Sequence, residues 1–330
     1  MILMSTRLPK KELYTVNCLS GVSRRCDWFI NGTRLLNISK TSAPKTVFLT
    51  AYRGGKGVNY LVDKLLPKIT NRFVLIVASD DFTFPSGRGD LRKNLYRYSQ
   101  QSIARLLDSP YLIQIYVENL DTEHVKMTPI PLGILPWENT EHPIEESVDF
   151  TLKNTLCLCR HRSRPLESRQ WNDRLTVDRL CKTVWRDFVK LIEEEIPRED
   201  FIKELKQAKF VLCIHGGGYD PCPRFFECIL YGAIPIIQHS PLDEVFSRFP
   251  VVFIEDLTEG SLSEKFLLGR LAETRDFYTG EKRKQVLSML TLDYWWQIIT
   301  SRLSNKNLLI SRDVSTTTVC SENGPTDRRT

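Results

Sequence analysis

Short apolar runs alternate with segments of helical spacing along most of this chain. The predicted strands of the first half are Thr46–Tyr52, Phe73–Ser79, Tyr111–Val117 and Thr128–Leu132, and the predicted helices are 60–69 and 102–107. Strands that alternate with helices are typical of βαβ units. The pattern therefore predicts an α/β fold with parallel sheets.

The second half repeats this alternation after an acidic stretch without periodic apolar positions. Its predicted strands are Asn154–Cys159, Phe210–Ile214, Ile234–Gln238 and Val251–Ile254, and its predicted helices are Val184–Glu195, Arg198–Ala208, Pro223–Tyr231, Leu242–Arg248, Ser263–Phe277 and Lys282–Arg302. Such a break between two alternating halves is typical of a connection between domains. We expect an N-terminal domain at 1–136, a connection at 137–153, a second domain at 154–304 and a disordered polar tail at 305–330.

Composition and charge agree with a globular protein that binds a small anion. The chain has 330 residues, enough for two cores. Its 46 Lys and Arg residues are spread among 40 acids, for a net charge of +6, which argues against a nucleic-acid surface. No run approaches the roughly 18 apolar residues of a membrane helix, and the N-terminus lacks a signal-peptide pattern. We therefore expect a cytoplasmic protein without a transmembrane segment.

The nine cysteines lie mostly inside apolar runs and do not form a C-x-x-C pair. Cysteines in such runs usually behave as small buried hydrophobic residues. The spacing therefore predicts neither a zinc ribbon nor a redox motif, and we expect no metal.

The segment most informative about chemistry is 209–238, which reads as strand, glycine-rich loop, helix, tight turn and strand. Gly216 and Gly217 allow a ligand to approach the backbone closely. Free amides at the following helix start, together with the helix dipole, suit a phosphate. His215 precedes these glycines and is a candidate contact to the same phosphate.

Two charged residues lie on the helix of this segment. Arg224 can bind a diphosphate through forked hydrogen bonds. Glu227 lies three residues later, so it shares a face with Arg224 and can accept the hydroxyls of a ribose. The alternative is an ordinary exposed ion pair between the two, which would be nearly neutral in energy.

Charged residues also follow two other predicted strands. Arg162 and Arg169, with Arg160, follow the strand that ends at Cys159. They either hold the phosphates of the same ligand from the side opposite Arg224 or form a solvated basic turn.

Asp80 and Asp81 follow the strand Phe73–Ser79 and are candidates for a general base that deprotonates the hydroxyl of a second substrate. Adjacent acids also start loops and cap helices, so both interpretations stay open.

Residues 224–227 (RFFE), followed by 232–237 (GAIPII), resemble the motif of exostosin-like glycosyltransferases, an R-F-x-E helix and then G-x-I-P-V-I. The preceding KFVLCIHGGG is similar to the strand and loop before that motif. In the first half, YVEN at 116–119 and then TPIPLG at 128–133 resemble the segment that closes the first domain of that family. Pro223 departs from the pattern, in which we expect serine.

The resemblance implies a GT-B fold, in which two Rossmann-like domains face each other across a cleft and a C-terminal helix returns to the first domain. It implies an inverting transfer of a hexosyl or pentosyl group from a nucleotide-sugar donor to a glycan or other hydroxyl acceptor, with no cofactor. A fucosyltransferase-like GT-B enzyme with a guanosine donor is an alternative. A non-catalytic nucleotide- or carbohydrate-binding protein of the same fold is another.

Overall fold

The protein is described from a computed structural model over residues 12–16, 19–50, 55–87, 98–135, 144–162 and 169–304. The predicted tail at 305–330 lies outside these residues, as does 137–143 of the predicted connection. Arg169 is the first residue of a helix, but its side chain is not among those described.

The first half forms one six-stranded sheet. Its strands are β1 (Trp28–Asn31), β2 (Arg34–Asn37), β3 (Thr46–Thr50), β4 (Phe73–Ala78), β5 (Leu112–Val117) and β6 (Met127–Pro129), in the order β2-β1-β3-β4-β5-β6. The pair β1–β2 is antiparallel, and the other pairs are parallel. Its helices are α1 (Gly21–Arg25), α2 (Gly55–Tyr60), which continues as a π turn at Leu61–Leu65 and a 3-10 turn at Leu66–Lys68, and α3 (Gln100–Leu107).

The second half forms a separate five-stranded parallel sheet. Its strands are β7 (Thr155–Cys159), β8 (Val189–Leu191), β9 (Ala208–Leu212), β10 (Ile234–Gln238) and β11 (Val252–Ile254), in the order β11-β10-β9-β7-β8. Its helices are α4 (Arg169–Lys182), α5 (Arg198–Gln207), α6 (Arg224–Leu230), α7 (Asp243–Phe246), α8 (Glu264–Thr274), α9 (Gly280–Ser288) and α10 (Leu292–Ser304).

The central strands are apolar along their whole length because both faces of each sheet are covered. All five residues of β3 and all six of β4 are buried. Continuous burial of this kind is what parallel sheets with helices on both faces require. The alternation of apolar strands and helices therefore predicted the correct class of fold.

The last helix, α10, packs against β4 and β5 of the first sheet. The hydroxyl of Tyr116 on β5 donates to the carbonyl of Ile298, 3.0 Å away. The buried ring of Trp295 lies 5.3 Å from that of Tyr14. The expected fold class is therefore confirmed: two Rossmann-like α/β sheets, with a C-terminal helix that returns to the first of them.

The predicted helix Val184–Glu195 is wrong. This stretch forms turns and then β8, which pairs in parallel with β7 through Cys157 and Val189. Its apolar residues Trp185, Val189 and Ile192 recur at helical spacing, but pairing at the open edge of the sheet determines the backbone conformation.

The predicted helix Lys282–Arg302 is two helices, α9 and α10. The N-terminal segment interrupts it, since the backbone amide of Tyr14 donates to the carbonyl of Leu290 (2.9 Å) and the amide of Leu292 donates to the carbonyl of Glu12 (2.8 Å). These bonds use backbone groups that a continuous helix would need for itself.

Candidate functional site

Loops from the two halves of the chain meet at the carboxyl ends of β4, β5 and β9. The turn after β4 contains Asp80 and Asp81, and the turn after β5 contains Glu118 and Asn119. The glycine-rich loop, residues 213–223, follows β9. We call the turn with Asp80 and Asp81 the acid-bearing turn. Ligands of α/β sheets bind at the carboxyl ends of the strands, so this turn and the predicted phosphate-binding loop lie at the same ligand-binding edge.

Gly217 and Gly218 pack against the first half with no space for a side chain. A methyl group on Gly217 would lie 2.6 Å from Cγ of Asp81, and one on Gly218 would lie 2.5 Å from Cγ of Asn119. Carbon atoms do not approach this closely without strain, so glycine is required at both positions. The glycines thus serve to bring the loop against the acid-bearing turn, a contact that the sequence did not predict.

The buried side chain of Asn119 joins the two loops. Its Nδ2 donates to the carbonyl of Asp80 (3.2 Å), and its Oδ1 accepts from the backbone amides of Tyr219 (2.8 Å) and Asp220 (3.0 Å). Unsatisfied buried amides are costly, so these bonds hold the loops in a fixed relation. We call this contact of Asn119 with Asp80, Tyr219 and Asp220 the interloop clasp.

Asp220 connects the glycine-rich loop to the first half by a second route. Its Oδ2 accepts from the amide of Leu132 (3.0 Å), and its Oδ1 accepts from the amide of Cys222 (2.9 Å). Burial raises the pKa of Asp220 to about 7, and the carboxylate of Asp81 acts in the same direction, against the two amides.

Glu118 is hydrogen-bonded to the backbone that leads into the acid-bearing turn. Its Oε2 accepts from the amide of Ser79 (2.6 Å), a residue with a positive φ of 72°. Burial raises the pKa of Glu118 well above its ordinary value, and the carboxyl of Asp220 raises it further. The hydroxyl of Tyr14, whose pKa is also raised by burial and by these two carboxyls, is buried and has no hydrogen-bond partner among the described residues. Asp80 and Asp81 therefore lie beside buried groups whose pKa values are raised, which is typical of acid–base sites.

Arg174, on α4, fixes the glycine-rich loop from the side of the second sheet. Its guanidinium is buried and donates to three carbonyls: those of His215 (2.9 Å), Arg162 (2.9 Å) and Ile214 (3.3 Å). Its Nη2 also lies 3.2 Å from Sγ of Cys222. Burial lowers the pKa of Arg174, but an arginine stays charged. The guanidinium of Arg174 therefore places a positive charge at the start of the glycine-rich loop.

Two further arginines lie at the ends of elements that border this loop: Arg224 begins α6, and Arg160 follows β7. Nε and Nη1 of Arg224 and Nε of Arg160 are buried without a hydrogen-bond partner in the described residues. Burial lowers the pKa of Arg160, and the charge of Arg224 lowers it further. Buried guanidinium nitrogens normally have acceptors, so this pair forms a cationic centre without a protein anion at these nitrogens.

Helix α6 holds Arg224 and Glu227 on a rigid base. The rings of Phe225 and Phe226 lie 5.4 and 5.8 Å from that of Phe249. Glu227 is 3% exposed and its Oε1 lies 2.7 Å from Nη2 of Arg198 on α5. Glu227 is therefore not part of an exposed pair with Arg224: it is buried, and its partner comes from another helix.

The other predicted donor residues have different surroundings. The side chain of Arg162 is 66% exposed and lies 4.0 Å from Glu195, whereas the charge of Arg224 acts on Arg160. His215 is buried, and its carbonyl accepts from Arg174. A methyl group on Gly216 would lie 3.0 Å from Sγ of Cys222 and 3.7 Å from Nη2 of Arg174, so this glycine packs against Cys222 of its own loop and against α4. Whether any of these residues binds a donor stays a prediction.

Asn119, Arg174 and Arg198 were not among the predicted site residues. Asn119 belongs to the YVEN segment of the family resemblance and lies two residues after a predicted strand, which is a usable signal, because strand ends meet at the ligand-binding edge. Arg174 and Arg198 lie in polar segments rich in other charges, and no spacing distinguishes them. Only the tertiary structure reveals that they are partners of the loop and of Glu227.

Two open depressions lie elsewhere on the described surface. One is bordered by Leu66, Arg105 and Tyr111, and the other by Phe266, Arg270 and Glu273 on α8. Neither contains a member of the loop cluster, so they are not part of the candidate site. In the described residues, no helix is long and apolar enough to cross a membrane.

No model of a known protein family matches this sequence, and no curated protein matches it. Among solved structures, the chain is similar to the N-terminal domain of trehalose-6-phosphate phosphatase from Candida albicans. The identity is 12% and the TM-score 0.44, over 80% of this chain and 71% of that one.

Two further structures are similar at a lower level. The glycotransferase of kitacinnamycin has 12% identity and a TM-score of 0.35, over 78% of this chain and 76% of that one. A protein described as a UDP-N-acetylglucosamine 2-epimerase, from Listeria monocytogenes, has 14% identity and a TM-score of 0.32, over 79% and 75%. Similarities this distant assign no substrate, so the resemblance to exostosin-like enzymes rests on the motif at 209–238.

Proposed function

We propose that this protein is a glycosyltransferase that binds a nucleoside-diphosphate sugar beside α6 and transfers the sugar to a hydroxyl acceptor. The observation that supports it is the pair of arginines, Arg224 and Arg160, with buried nitrogens for which the described part of the chain supplies no acceptor. A diphosphate supplies the acceptor oxygens and the negative charge that these nitrogens need.

The surrounding groups suit this chemistry. Negative charge develops on the leaving diphosphate, and fixed cations such as Arg174 and Arg224 stabilise it. Glu227 is the candidate partner of the donor ribose, as the motif implies. Asp81, or Asp80 beside it, is the candidate base that removes the proton of the acceptor hydroxyl. The buried carboxyls of Glu118 and Asp220, whose pKa values burial raises, lie close to this candidate base.

Donor entry requires the glycine-rich loop to move. The unpartnered nitrogens of Arg224 are covered by protein, and Gly217 lies against Asp81. The described arrangement is thus a closed one, held by the interloop clasp. We infer that a donor enters when the loop separates from the acid-bearing turn, and that its phosphates then replace the covering groups.

The first test is nucleotide binding by calorimetry and thermal shift. Uridine and guanosine diphosphates, with and without Mg²⁺, are compared with the corresponding nucleosides. We expect a diphosphate to raise the melting temperature of the wild type, since a ligand at about 100 times its Kd adds about 2.7 kcal/mol. The nucleosides, which lack phosphates, should bind far more weakly. Equal binding of nucleoside and diphosphate would contradict the proposal.

The second test separates a transferase from a binding protein of the same fold. Slow release of free sugar from the donor, followed by mass spectrometry, indicates turnover, and an Asp81→Asn variant should reduce it while diphosphate still binds. Tight binding without any release in the presence of acceptors would favour the non-catalytic alternative. Preference for the guanosine over the uridine diphosphate would favour the fucosyltransferase-like alternative.

A further inference from the structure

His161 lies two residues after the end of β7, between Arg160 and Arg162. Its side chain is fully buried. Nε2 of the imidazole lies 2.9 Å from Oδ1 of Asp178 and 3.2 Å from the carbonyl oxygen of Arg174, both on α4. The proposed reaction gives no role to His161 or to Asp178.

The surroundings of the imidazole fix its orientation. Both partners of Nε2 are hydrogen-bond acceptors, so Nε2 carries a hydrogen and donates to α4. Nδ1 lies on the other side of the ring, 3.8 Å from Sγ of Cys159. Burial lowers the pKa of His161, and nearby arginine charges act in the same direction, against the carboxylate of Asp178. The ring is thus held between the end of β7 and α4.

Arg160, the residue before His161, contacts a different helix. Its guanidinium carbon lies 5.2 Å from the ring centre of Phe201 on α5. Consecutive side chains at the end of a strand point in opposite directions, so a fixed His161 also fixes the direction of Arg160. The turn after β7 is therefore attached to α4 through His161 while Arg160 points to α5, where the charge of Arg224 acts on it.

The same helix, α4, also holds the glycine-rich loop. Arg174 lies one turn before Asp178 on this helix. Its guanidinium donates to the carbonyls of Ile214 (3.3 Å) and His215 (2.9 Å) at the start of the loop. It also donates to the carbonyl of Arg162 (2.9 Å) in the turn after β7. Helix α4 therefore fixes this turn and the glycine-rich loop relative to each other.

The position of Arg160 needs such a restraint. Nε of Arg160 is buried and has no hydrogen-bond partner among the described residues. Burial lowers the pKa of its guanidinium, and the charge of Arg224 lowers it further. A long, flexible arginine gains hydrogen bonds by turning towards water, so the backbone that carries Arg160 must be held in place.

We propose that His161 and Asp178 are positioning residues, whose hydrogen bond holds the turn after β7 so that Arg160 faces the phosphates of a bound ligand. Because that ligand is the donor diphosphate, this role rests on the proposed function. Neither residue would touch the ligand, since both act through Arg160. Loss of their hydrogen bond should therefore weaken binding only as far as Arg160 contributes to it.

The first test is a double-mutant cycle, with inorganic pyrophosphate as the probe and calorimetry as the measurement. Arg160→Met should weaken binding about 10-fold, as loss of one charge-assisted hydrogen bond does. Asp178→Ala should cause most of the same loss, while Asp178→Asn, which keeps an acceptor oxygen for the imidazole, should bind almost as the wild type does. Asp187→Asn, at an exposed acid paired with Arg186, is the matched control.

The double variant decides whether the two side chains act together. Arg160→Met combined with Asp178→Ala should bind pyrophosphate no more weakly than Arg160→Met alone, because the anchor has nothing else to position. Losses that multiply in the double variant would overturn the proposal, since Asp178 would then act on the site by another route.

A second measurement needs no ligand. Arg160 is partly buried and Arg162 is 66% exposed, so phenylglyoxal, which modifies accessible guanidinium groups, should react slowly with the first and rapidly with the second. In Asp178→Ala the rate at Arg160 should rise several-fold, because the released side chain reaches water, while the rate at Arg162 stays unchanged. Peptide mapping by mass spectrometry measures both rates.

The two measurements separate this role from the proposed function. An unchanged rate at Arg160 in Asp178→Ala would overturn the positioning role even in a protein that binds pyrophosphate. If the wild type binds neither pyrophosphate nor a nucleotide, the proposed function fails, and the rate at Arg160 still decides whether the hydrogen bond of Asp178 holds that side chain.

Discussion

Gly217 lies directly against the carboxyl group of Asp81, so that a methyl group at Gly217 would be 2.6 Å from Cγ of Asp81. One residue belongs to the glycine-rich loop of the second half, and the other to the acid-bearing turn of the first. The contact joins the two features that the sequence singled out separately. The proposed donor entry therefore requires the loop to separate from this turn, because a ligand cannot occupy the same space.

Gly217→Ala tests this contact. The added methyl must push the loop and the turn apart, and we expect a loss of about 1–3 kcal/mol in the free energy of unfolding, as overpacking usually costs. Chemical denaturation measures it. Gly260→Ala is the matched control, since a methyl there meets nothing within 4 Å and should change stability little. Equal stability of the two variants would show that the loop has room that the structure does not indicate.

Arg224→Met separates a ligand-binding role from a structural one. Two nitrogens of Arg224 are buried without partners, and each unsatisfied group costs about 1–3 kcal/mol. Methionine removes that cost, so the unliganded variant should be at least as stable as the wild type, while the stabilisation by a nucleoside diphosphate is lost. Thermal shift with and without nucleotide measures both effects. Arg248→Met, at an exposed arginine paired with Glu244, should bind nucleotide as the wild type does. A variant that is destabilised but still binds nucleotide would assign Arg224 to the scaffold.

The strands and the fold class could be predicted because burial on both faces leaves a continuous apolar run. The strand Ile234–Gln238 has the predicted boundaries, and β4 differs by one residue. The hairpin of β1 and β2 was missed because Arg34–Asn37 is mostly exposed and carries no apolar run. Helix α4 was missed because its sequence, RQWNDRLTVDRLCK, is polar over most of its length.

The location of the candidate site could be predicted from the sequence, but the contacts between its side chains could not. Strand ends and glycines indicated where Asp81 and Gly217 lie, because carboxyl ends of parallel strands share an edge. The partner of Glu227 was not predictable, since Arg198 comes from another helix and its spacing carries no signal.

The stability of the protein should fall as pH rises from about 4 to about 7. Burial raises the pKa of Asp220 to about 7, so between the unfolded and folded pKa values the folded state binds more protons than the unfolded state. Over this pH range the folded state holds a proton that the unfolded state has already released, so the free energy of unfolding falls as pH rises. The raised pKa of Glu118 acts in the same direction, and the buried Tyr14 and the carboxylate of Asp81 face the same cluster.

Asp220→Asn removes one of these titrating groups. Denaturation in urea at fixed ionic strength should show a smaller decline with pH in the variant than in the wild type. Its absolute stability can fall, because the amides of Leu132 and Cys222 donate to different oxygens of Asp220 and asparagine keeps only one of these acceptors. The slope with pH is the measurement that matters: parallel curves for variant and wild type would mean that Asp220 titrates normally.

Glu227→Gln tests the ribose contact. Replacement of the charge should weaken nucleoside diphosphate binding by roughly 10-fold, or about 1.4 kcal/mol, because charge-assisted hydrogen bonds are lost. Since Glu227 also pairs with Arg198, an Arg198→Gln variant is the comparison: it breaks the ion pair but keeps the carboxylate. If calorimetry finds the same loss in both, Glu227 serves only to pair with Arg198.

The rate at which Cys222 is alkylated should indicate whether a nucleotide is bound at the candidate site. Cys222 is the cysteine of the described residues that is not buried, and its thiol lies 3.2 Å from Nη2 of Arg174, within the glycine-rich loop. A diphosphate bound at Arg224 would cover it. At ten times its Kd, the nucleotide leaves about a tenth of the sites free, so alkylation of Cys222 should slow about 10-fold. Peptide mapping by mass spectrometry after timed iodoacetamide treatment measures the rate, and Arg224→Met, which should not bind, is the control without protection. Equal protection in this control, or unchanged alkylation of the wild type under saturating nucleotide, would place the binding site away from this loop.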